Sequence, residues 1–195
     1  MDIQPIQTVE MHTGGEPVRI IESGYPPLSG ATLLDKRRYA RDHLDHIRQF
    51  LMFEPRGHFD MYGAVLVEPD HPEADLAVLF MHNEGYSTMC GHAVIALGRY
   101  AIDSGHVQAV EPETPVNIQC PCGLVRVMVE VTGGKTGRAR FESVPAFVLH
   151  RQKIVSTETH GPVEVDVAYG GAFYAVVAAD QFGLDVRTSR VRDLV

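Results

Sequence analysis

A run of apolar residues after position 92 predicts a helix that is apolar on almost every side. At 3.6 residues per turn these positions cover nearly all angles around the helix axis, which indicates a helix in the interior of the fold. Gly105 stands where a glycine in the C′ position ends a helix. We therefore expect the rest of the chain to bury this helix. Its apolar members are Ala93, Val94, Ile95, Ala96, Leu97, Tyr100, Ala101 and Ile102.

Short β-favouring runs separated by turn residues precede and follow this helix, so the chain is predicted to be an α/β (α+β) protein. Gly14 and Gly15 predict a tight turn or a close backbone approach in a loop over residues 11–16. A β-meander is expected after residue 115. The predicted strands are 3–9, 17–22, 64–68, 76–81, 116–119, 124–131, 139–143 and, interrupted at 170–171, 163–179.

An amphipathic pattern predicts one surface helix over residues 32–52. Ala40, Leu44, Ile47 and Leu51 recur at helical spacing and form one apolar stripe. The charged residues between them, Arg48 included, are assigned to a solvated face.

A change of composition marks the predicted domain boundary. Residues 145–162 are rich in His, Lys, Ser and Thr and end in Gly-Pro, which favours a crossing between domains. We expect a first domain over residues 1–150, which carries Cys90. Residues 151–195 are expected to hold the crossing segment and the incomplete start of a second domain.

The charge and the apolar runs exclude several classes of partner. Among 195 residues, 25 acidic side chains outnumber 17 basic ones and give a formal charge of −8, so a phosphate-neutralising surface and a nucleic-acid partner are not expected. The longest apolar run, 172–179, is far shorter than the roughly 20 residues that cross a bilayer, so no membrane association is expected. The first ten residues have no secretory pattern, and three cysteines argue against a disulfide framework. A cytoplasmic location is predicted.

Cys90 is the strongest candidate for chemistry because it lies at the start of the buried helix. Unpaired N–H groups and the positive end of the helix dipole stabilise an anion there, so the pKa of this thiol is expected to be lowered. The N–H groups of Gly91 and His92 could hold a small carboxylate beside the thiolate. An inert core thiol is the alternative.

The role of His92 stays open at this stage. Helical positions i and i+2 point to nearly opposite faces, so His92 is not expected to act as the base for Cys90. It could instead bind substrate or form a structural hydrogen bond at the helix end.

Other clusters of polar residues favour structural interpretations. Cys120 and Cys122 are one residue apart, closer than usual zinc spacing, so small residues at a hairpin are preferred to a metal site. Residues 54–60 combine Glu, Arg, His and Asp, for which structural support is preferred to a polar pocket. Dinucleotide and phosphate-loop motifs are absent, so no nucleotide cofactor is indicated.

Four motifs occur in an order that resembles the proline racemase family. They are MHTGGEPVR at 11–19, EPRGH with DMYGA over 54–64, MCGH at 89–92 and DVAYGGAFY at 166–174. The resemblance covers essentially the whole chain. It implies a fold like that of diaminopimelate epimerase, with two similar halves in which strands wrap around a central buried helix.

The resemblance also implies an activity and a set of residue roles. Cys90 matches the cofactor-free base that removes the α-proton of a proline-type imino acid. Gly91 and His92 match substrate-binding positions, and Tyr62 matches an aromatic position of the pocket. The details are most like members that dehydrate trans-3-hydroxy-L-proline to Δ1-pyrroline-2-carboxylate. A small-molecule substrate, no cofactor, no metal and a possible homodimer are therefore expected.

The chain departs from the family pattern in its length. The family's second half, with the second catalytic residue (Thr or Cys) and the acid that holds the substrate nitrogen, lies beyond residue 195. Proline racemisation and 4-hydroxyproline epimerisation are therefore alternatives to dehydration. A non-catalytic half-protein that binds a ligand or a partner chain is a third possibility.

Overall fold

The computed structural model describes residues 5–194, and it divides the chain into two compact units, Met1–Val144 and Pro145–Val195. Residues 3 and 4 of the predicted first strand lie outside the described residues. The assignment of residues 1–150 and 151–195 as an epimerase-like domain and an incomplete second domain stays a prediction.

The first unit is a seven-stranded sheet with helices on both faces. Its strands follow one another in chain order, and only the pairs β2–β3 and β4–β5 are parallel. Parallel neighbours require a crossover, which two helices supply between β2 and β3 and one helix supplies between β4 and β5. The elements are β1 (Gln7–Thr13), β2 (Glu16–Ser23), α1 (Leu33–His43), α2 (Asp45–Met52), β3 (Tyr62–Val67), β4 (Leu76–His82), α3 (Gly91–Asp103), β5 (Glu113–Cys120), β6 (Gly123–Thr132) and β7 (Lys135–Glu142).

The predicted buried helix is confirmed as α3. It contacts β1, β2, β3, β5, β6 and β7, and its buried side includes Val94 and Leu97, both fully buried. Arg99 and Asp103 are the exposed exceptions. Gly98 lies so close to β6 that a Cβ built there would stand 2.5 Å from Val127 Cγ1. The helix is capped by Ser104 and followed by Gly105 at φ 79°, as predicted.

Strand β4 is buried on both faces and separates two cores. Its alternate residues Leu76, Val78 and Phe80 pack in the core around α3. Ala77, Leu79 and Met81 pack in the core under α1 and α2. This two-sided burial explains why the strand is apolar without alternation.

The predicted single helix over 32–52 is wrong, because the chain forms α1 and α2 with a break at Leu44. Arg48 was assigned to the solvated face, but it is only 5% exposed. Its guanidinium binds the Asp45 carboxylate and donates to the carbonyls of His82 and Asn83, each over 2.7 Å. A buried arginine is stable here because these acceptors satisfy its charge and its donors.

The hairpins are close to the predictions. β1 and β2 pair up to Thr13 and Glu16, so residues 11–13 belong to a strand and only Gly14 and Gly15 form the turn. Both glycines have positive φ (62° and 104°), as a two-residue hairpin turn requires. The predicted meander is confirmed as β5–β6–β7.

The second unit is a three-stranded antiparallel sheet in the order β10–β9–β8. The predicted crossing segment 145–162 is mostly strand, because β8 spans Phe147–Thr157 and β9 begins at Gly161. β9 (Gly161–Tyr169) and β10 (Phe173–Val177) replace the interrupted strand predicted over 163–179. A 3₁₀ turn (Ala179–Phe182) and a one-turn helix α4 (Val191–Leu194) come after them.

Candidate active site

Cys90 is the N-cap residue of α3. Its backbone is extended (φ −146°, ψ 113°), while its carbonyl already accepts the first helical hydrogen bond from the N–H of Val94, over 3.1 Å. The side chain is buried, with 8% exposed. The backbone amides of His92 and Ala93 lie near the sulfur and act to lower the pKa of the thiol. The thiol is therefore held against the amide end of the buried helix, as predicted from the sequence.

The predicted lowering of the Cys90 pKa is wrong. Burial raises the pKa of the thiol and outweighs the amides of Ala93 and His92 and the side chain of Tyr62, which lower it. The carboxylate of Glu16 raises it further by repulsion. A helix end thus stabilises the thiolate without overcoming the cost of removing it from water.

Cys90 and His92 are in contact, contrary to the sequence prediction. Cys90 Sγ lies 3.3 Å from His92 Nδ1 and 3.8 Å from Nε2. The prediction placed both residues on helical positions i and i+2. It fails because Cys90 has extended and not helical dihedral angles, so its side chain is free to point along the helix start toward the imidazole.

His92 is held by two contacts of its ring and one of its backbone. Nε2 lies 3.1 Å from the carbonyl oxygen of Pro17 in β2. The ring of Tyr62 stands edge-on to it, with ring centroids 5.1 Å apart. At the backbone of His92, the hydroxyl of Thr13 donates to the carbonyl over 2.8 Å. The first hairpin therefore fixes the residue that contacts the thiol.

Tyr62 and Gly91 complete the set of predicted residues. Tyr62 begins β3, and its hydroxyl hydrogen-bonds that of Ser87. Gly91 is the first residue of α3, and a Cβ there would approach the ring of Phe141 to 3.3 Å. The structure thus brings Cys90, Gly91, His92 and Tyr62 together around the start of one helix.

Three contributors were not predicted. Thr13 lies in the predicted loop over residues 11–16, Pro17 begins the predicted strand 17–22, and Ser87 lies just before Cys90 in the chain. Spacing alone could not identify them, since each acts through a contact made only in the folded chain: Thr13 and His92 are 79 positions apart.

The remaining thiols lie at the β5–β6 turn. Cys120 is the last residue of β5, and the backbone N–H of Cys122 donates to the carbonyl of Thr88 over 3.1 Å. The side-chain hydrogen bond between the two thiols lowers the pKa of Cys122 and raises that of Cys120. The hairpin position agrees with the structural interpretation of both cysteines.

The segment 54–60 also makes structural contacts. Arg56 donates to the carbonyl of Phe50 over 2.8 Å and stacks on that ring, with Cζ 3.5 Å from the centroid. Asn83 donates to the carbonyl of His58 over 2.8 Å. Within residues 5–194 no group of three or more His, Cys, Asp or Glu side chains could hold a metal ion. No helix in the same range is long and apolar enough to span a membrane.

The fold matches two solved structures. One is a hydroxyproline epimerase from Agrobacterium vitis with bound trans-4-hydroxy-L-proline, at a TM-score of 0.88 and 29% identity over 97% of this chain and 56% of that chain. The other is a probable proline racemase from Agrobacterium radiobacter K84 with bound carbonate, at a TM-score of 0.85 and 30% identity over 93% and 54% of the two chains. A sheet that surrounds a buried helix, with a cysteine at the start of that helix, therefore defines a fold of the racemase and epimerase type.

Sequence comparison gives the family. The family model described as proline racemase matches residues 8–195, and the chain belongs to the proline racemase family. Trans-L-3-hydroxyproline dehydratase of Xenopus tropicalis is 61% identical over 191 residues. Trans-3-hydroxy-L-proline dehydratase of Homo sapiens is 59% identical over 194 residues. Each match covers 97% of this chain and 55% of the relative, so the chain spans about half the length of these relatives.

Proposed function

We propose that this chain acts in the dehydration of trans-3-hydroxy-L-proline to Δ1-pyrroline-2-carboxylate, as a cofactor-free hydro-lyase. The observation that carries the proposal is the buried Cys90 thiol at the amide end of α3, in contact with His92. The names of the relatives at 59–61% identity support this substrate.

The proposed chemistry begins with transfer of the substrate α-proton to the Cys90 thiolate. The electron pair of the broken C–H bond stays on the substrate and spreads into its carboxylate. Backbone N–H groups of Gly91 and His92 are proposed to bind that carboxylate, where donors aimed at developing charge lower the barrier most. Tyr62 is proposed to line the pocket beside the ring. The electron pair then forms the C2=C3 bond and expels the 3-hydroxyl, which takes up a proton from solvent and leaves as water, while the Cys90 thiol returns its proton to solvent. The resulting enamine loses a proton from nitrogen and gains one at C3, which gives Δ1-pyrroline-2-carboxylate.

Racemisation or epimerisation is the second candidate. It is favoured by a 3-hydroxyproline 2-epimerase of Burkholderia multivorans, which is 50% identical over 97% of this chain. The two reactions share the first proton transfer and differ in the fate of the carbanion, which either expels the hydroxyl or takes up a proton. Incorporation of solvent deuterium at Cα without loss of water would favour epimerisation.

The proposal extends to partners and location. The charge of −8 supports the absence of a nucleic-acid partner, and the three free cysteines support a cytosolic location. A homodimer is proposed as the form in which the chain binds a small imino acid. Sedimentation of the purified chain tests this, and a single monomeric species would contradict it.

The function is tested with trans-3-hydroxy-L-proline and product detection by mass spectrometry. We expect the wild-type chain and Cys122→Ser to form the product and Cys90→Ser to lose it. Equal turnover by Cys90→Ser would overturn the role of Cys90.

In parallel, calorimetry measures binding of pyrrole-2-carboxylate, whose planar ring resembles the substrate after loss of the α-proton. Absence of both turnover and binding would reject the proposal for this chain.

A further inference from the structure

A cavity lies on the face of the first sheet opposite to α3. Val18 and Ile20 of β2 are fully buried in the core that also contains Cys90. Successive side chains of a strand point to opposite faces, so Arg19 between them lies on the other face. Arg19 lines a cavity of about 870 Å³ there. The sheet therefore separates this cavity from the Cys90 thiol, and the proposed dehydration makes no use of it.

The wall of the cavity is largely apolar. The segment after β2 and one side of α2 supply most of it, and a volume of this size suits a small organic molecule. Phe50 is 48% exposed although it is a large aromatic residue, which is a costly arrangement unless a ligand covers it. The apolar wall includes Ile6, Tyr25, Pro26, Ile47 and Phe50.

Two guanidinium groups are fixed beside this wall at the end of α2. Arg19 Nη1 donates to the carbonyl of Leu51 over 2.6 Å, and Arg56 Nε donates to the carbonyl of Phe50 over 2.8 Å. The two carbonyls are adjacent in the last turn of the helix, where the negative end of the dipole favours cations. Both arginines also line the cavity, so two segments far apart in sequence bring positive charge to one place.

Only one of these two charges is neutralised by a carboxylate. Glu10 Oε1 lies 2.6 Å from Arg19 Nε. Within residues 5–194 no carboxylate forms an ion pair with Arg56, and its two Nη atoms have no hydrogen-bond partner there. None of the described residues that line the cavity is acidic, although the chain carries a formal charge of −8. A free guanidinium beside an apolar wall indicates an anionic ligand with an apolar body.

We propose that this cavity is a second ligand site, which binds a small monocarboxylate with a flat apolar body. The two Nη atoms of Arg56 donate to the two carboxylate oxygens, a pairing that the planar guanidinium fits. The apolar body packs against Phe50 and Ile47. The inference does not depend on the proposed function, because it concerns the opposite face of the sheet.

The position of Arg56 is set before any ligand binds. Its Nε is held by the Phe50 carbonyl, and its Cζ lies 3.5 Å from the centroid of the Phe50 ring. A side chain that is already ordered loses little freedom on binding, so more of the interaction appears as affinity. A single free guanidinium also matches the single charge of a monocarboxylate. An uncharged apolar molecule would leave this donor without a partner.

The test is calorimetric titration of the full chain with 2-naphthoate, which has a flat apolar body and one carboxylate. We expect saturable binding to wild type and a dissociation constant about tenfold higher for Arg56→Gln, since one charge-assisted hydrogen-bonded pair is lost. Arg38→Gln removes an exposed arginine of α1 that is outside the cavity and should match wild type. Uncharged 2-naphthalenemethanol should bind wild type and Arg56→Gln equally, which shows that the variant keeps the cavity.

NMR of the nitrogen-15-labelled chain locates the bound probe. The amide signals of residues 50, 51 and 56 should shift with 2-naphthoate, and shifts confined to residues 90–93 would place it at the Cys90 site and overturn the proposal. Equal affinity of wild type and Arg56→Gln, or no saturation, would also overturn it. Binding that appears only in Ile3→Asp would mean that the chain's own first residues occupy the cavity, which contradicts a ligand site. None of these outcomes depends on turnover of hydroxyproline, so the two proposals can fail separately.

Discussion

The hydroxyl of Thr13 donates to the backbone carbonyl of His92 over 2.8 Å and so joins the end of β1 to the first turn of α3. The two residues lie 79 positions apart. This bond holds the backbone of His92, the residue that contacts Cys90. At the ring of the same residue, the carbonyl of Pro17 accepts a hydrogen bond from Nε2. The first hairpin therefore acts as a support for the start of the helix.

Replacement of Thr13 by Val should weaken this support. The methyl group keeps the volume and the β propensity but removes the donor, so we expect a loss of about 1 kcal/mol in the free energy of unfolding. Urea denaturation measures it. Thr8→Val, on an exposed position of the same strand, is the control and should change stability by less than about 0.5 kcal/mol. Equal effects at both positions would show that the Thr13 bond contributes nothing.

Replacement of Arg48 by Met should lower the free energy of unfolding by about 3 kcal/mol. The change leaves the carbonyls of His82 and Asn83 without this donor and the Asp45 carboxylate without its charged partner, although Gln49 still donates to it. Arg41→Met on exposed α1, where the partner Asp42 is also exposed, should cost less than about 0.5 kcal/mol. Chemical denaturation of the two variants compares them, and similar losses would contradict the role assigned to burial.

The ion pair between Arg48 and Asp45 predicts that the free energy of unfolding depends on pH. A hydrogen bond from Arg48 lowers the pKa of Asp45 below its ordinary value. A lowered pKa in the folded state contributes stability above the ordinary aspartate pKa of about 3.9, and this contribution is lost as the pH falls through the folded-state value. The difference in unfolding free energy between wild type and Arg48→Met should therefore shrink below about pH 4. A constant difference from neutral to acidic pH would argue against the ion pair.

Gly98→Ala should destabilise the fold although alanine is the better helix former. The added Cβ would lie 2.5 Å from Val127 Cγ1, so helix and sheet must move apart. We expect a net loss of about 1 kcal/mol or more after the gain in helix propensity. Val127→Ala removes the obstructing methyl groups, so the cost of Gly98→Ala should fall in that background. Additive losses in the double variant would mean that the contact is not the cause.

Cys122 should react with iodoacetamide before Cys120. Its pKa is lowered by the hydrogen bond with Cys120, and it is only partly buried, whereas Cys120 is 2% exposed with a raised pKa. Peptide mapping at pH 7 should show a difference of more than about tenfold. Cys120→Ala removes the hydrogen bond and should slow Cys122, while Cys120→Ser keeps a donor and should not. Faster labelling of Cys120 would reverse this assignment.

Local patterns predicted much of the first unit. The helix α3 and its end at Gly105, the Gly14–Gly15 turn and the β5–β6–β7 meander depend on neighbouring residues in the sequence, so periodicity and turn residues identify them. The break at Leu44 and the burial of Arg48 were missed. The burial depends on carbonyls of the β4 end, which lies more than thirty positions away.

The candidate active site likewise has features that the sequence predicts and features that depend on the folded chain. The position of Cys90 at a helix start can be predicted from the sequence, and so can the presence of His92 and Tyr62 in the motifs. The contact between Cys90 and His92 and the direction of the Cys90 pKa were predicted wrongly. The first depends on the extended dihedral angles of one residue, and the second on the total burial of the sulfur, neither of which spacing can report.

Substitutions in strand β4 could displace the Cys90 thiol without any change at Cys90 itself. Since both faces of the strand are apolar, a slip of one residue would exchange the two cores yet expose no polar group, so polarity gives little protection against misalignment. Side-chain size must do so instead: Phe80 fits beside α3, and Gly63 on β3 leaves room for Met81. Substitution of one apolar residue of β4 by another of different size leaves the hydropathy unchanged. It would nevertheless shift the loop that joins β4 to Cys90.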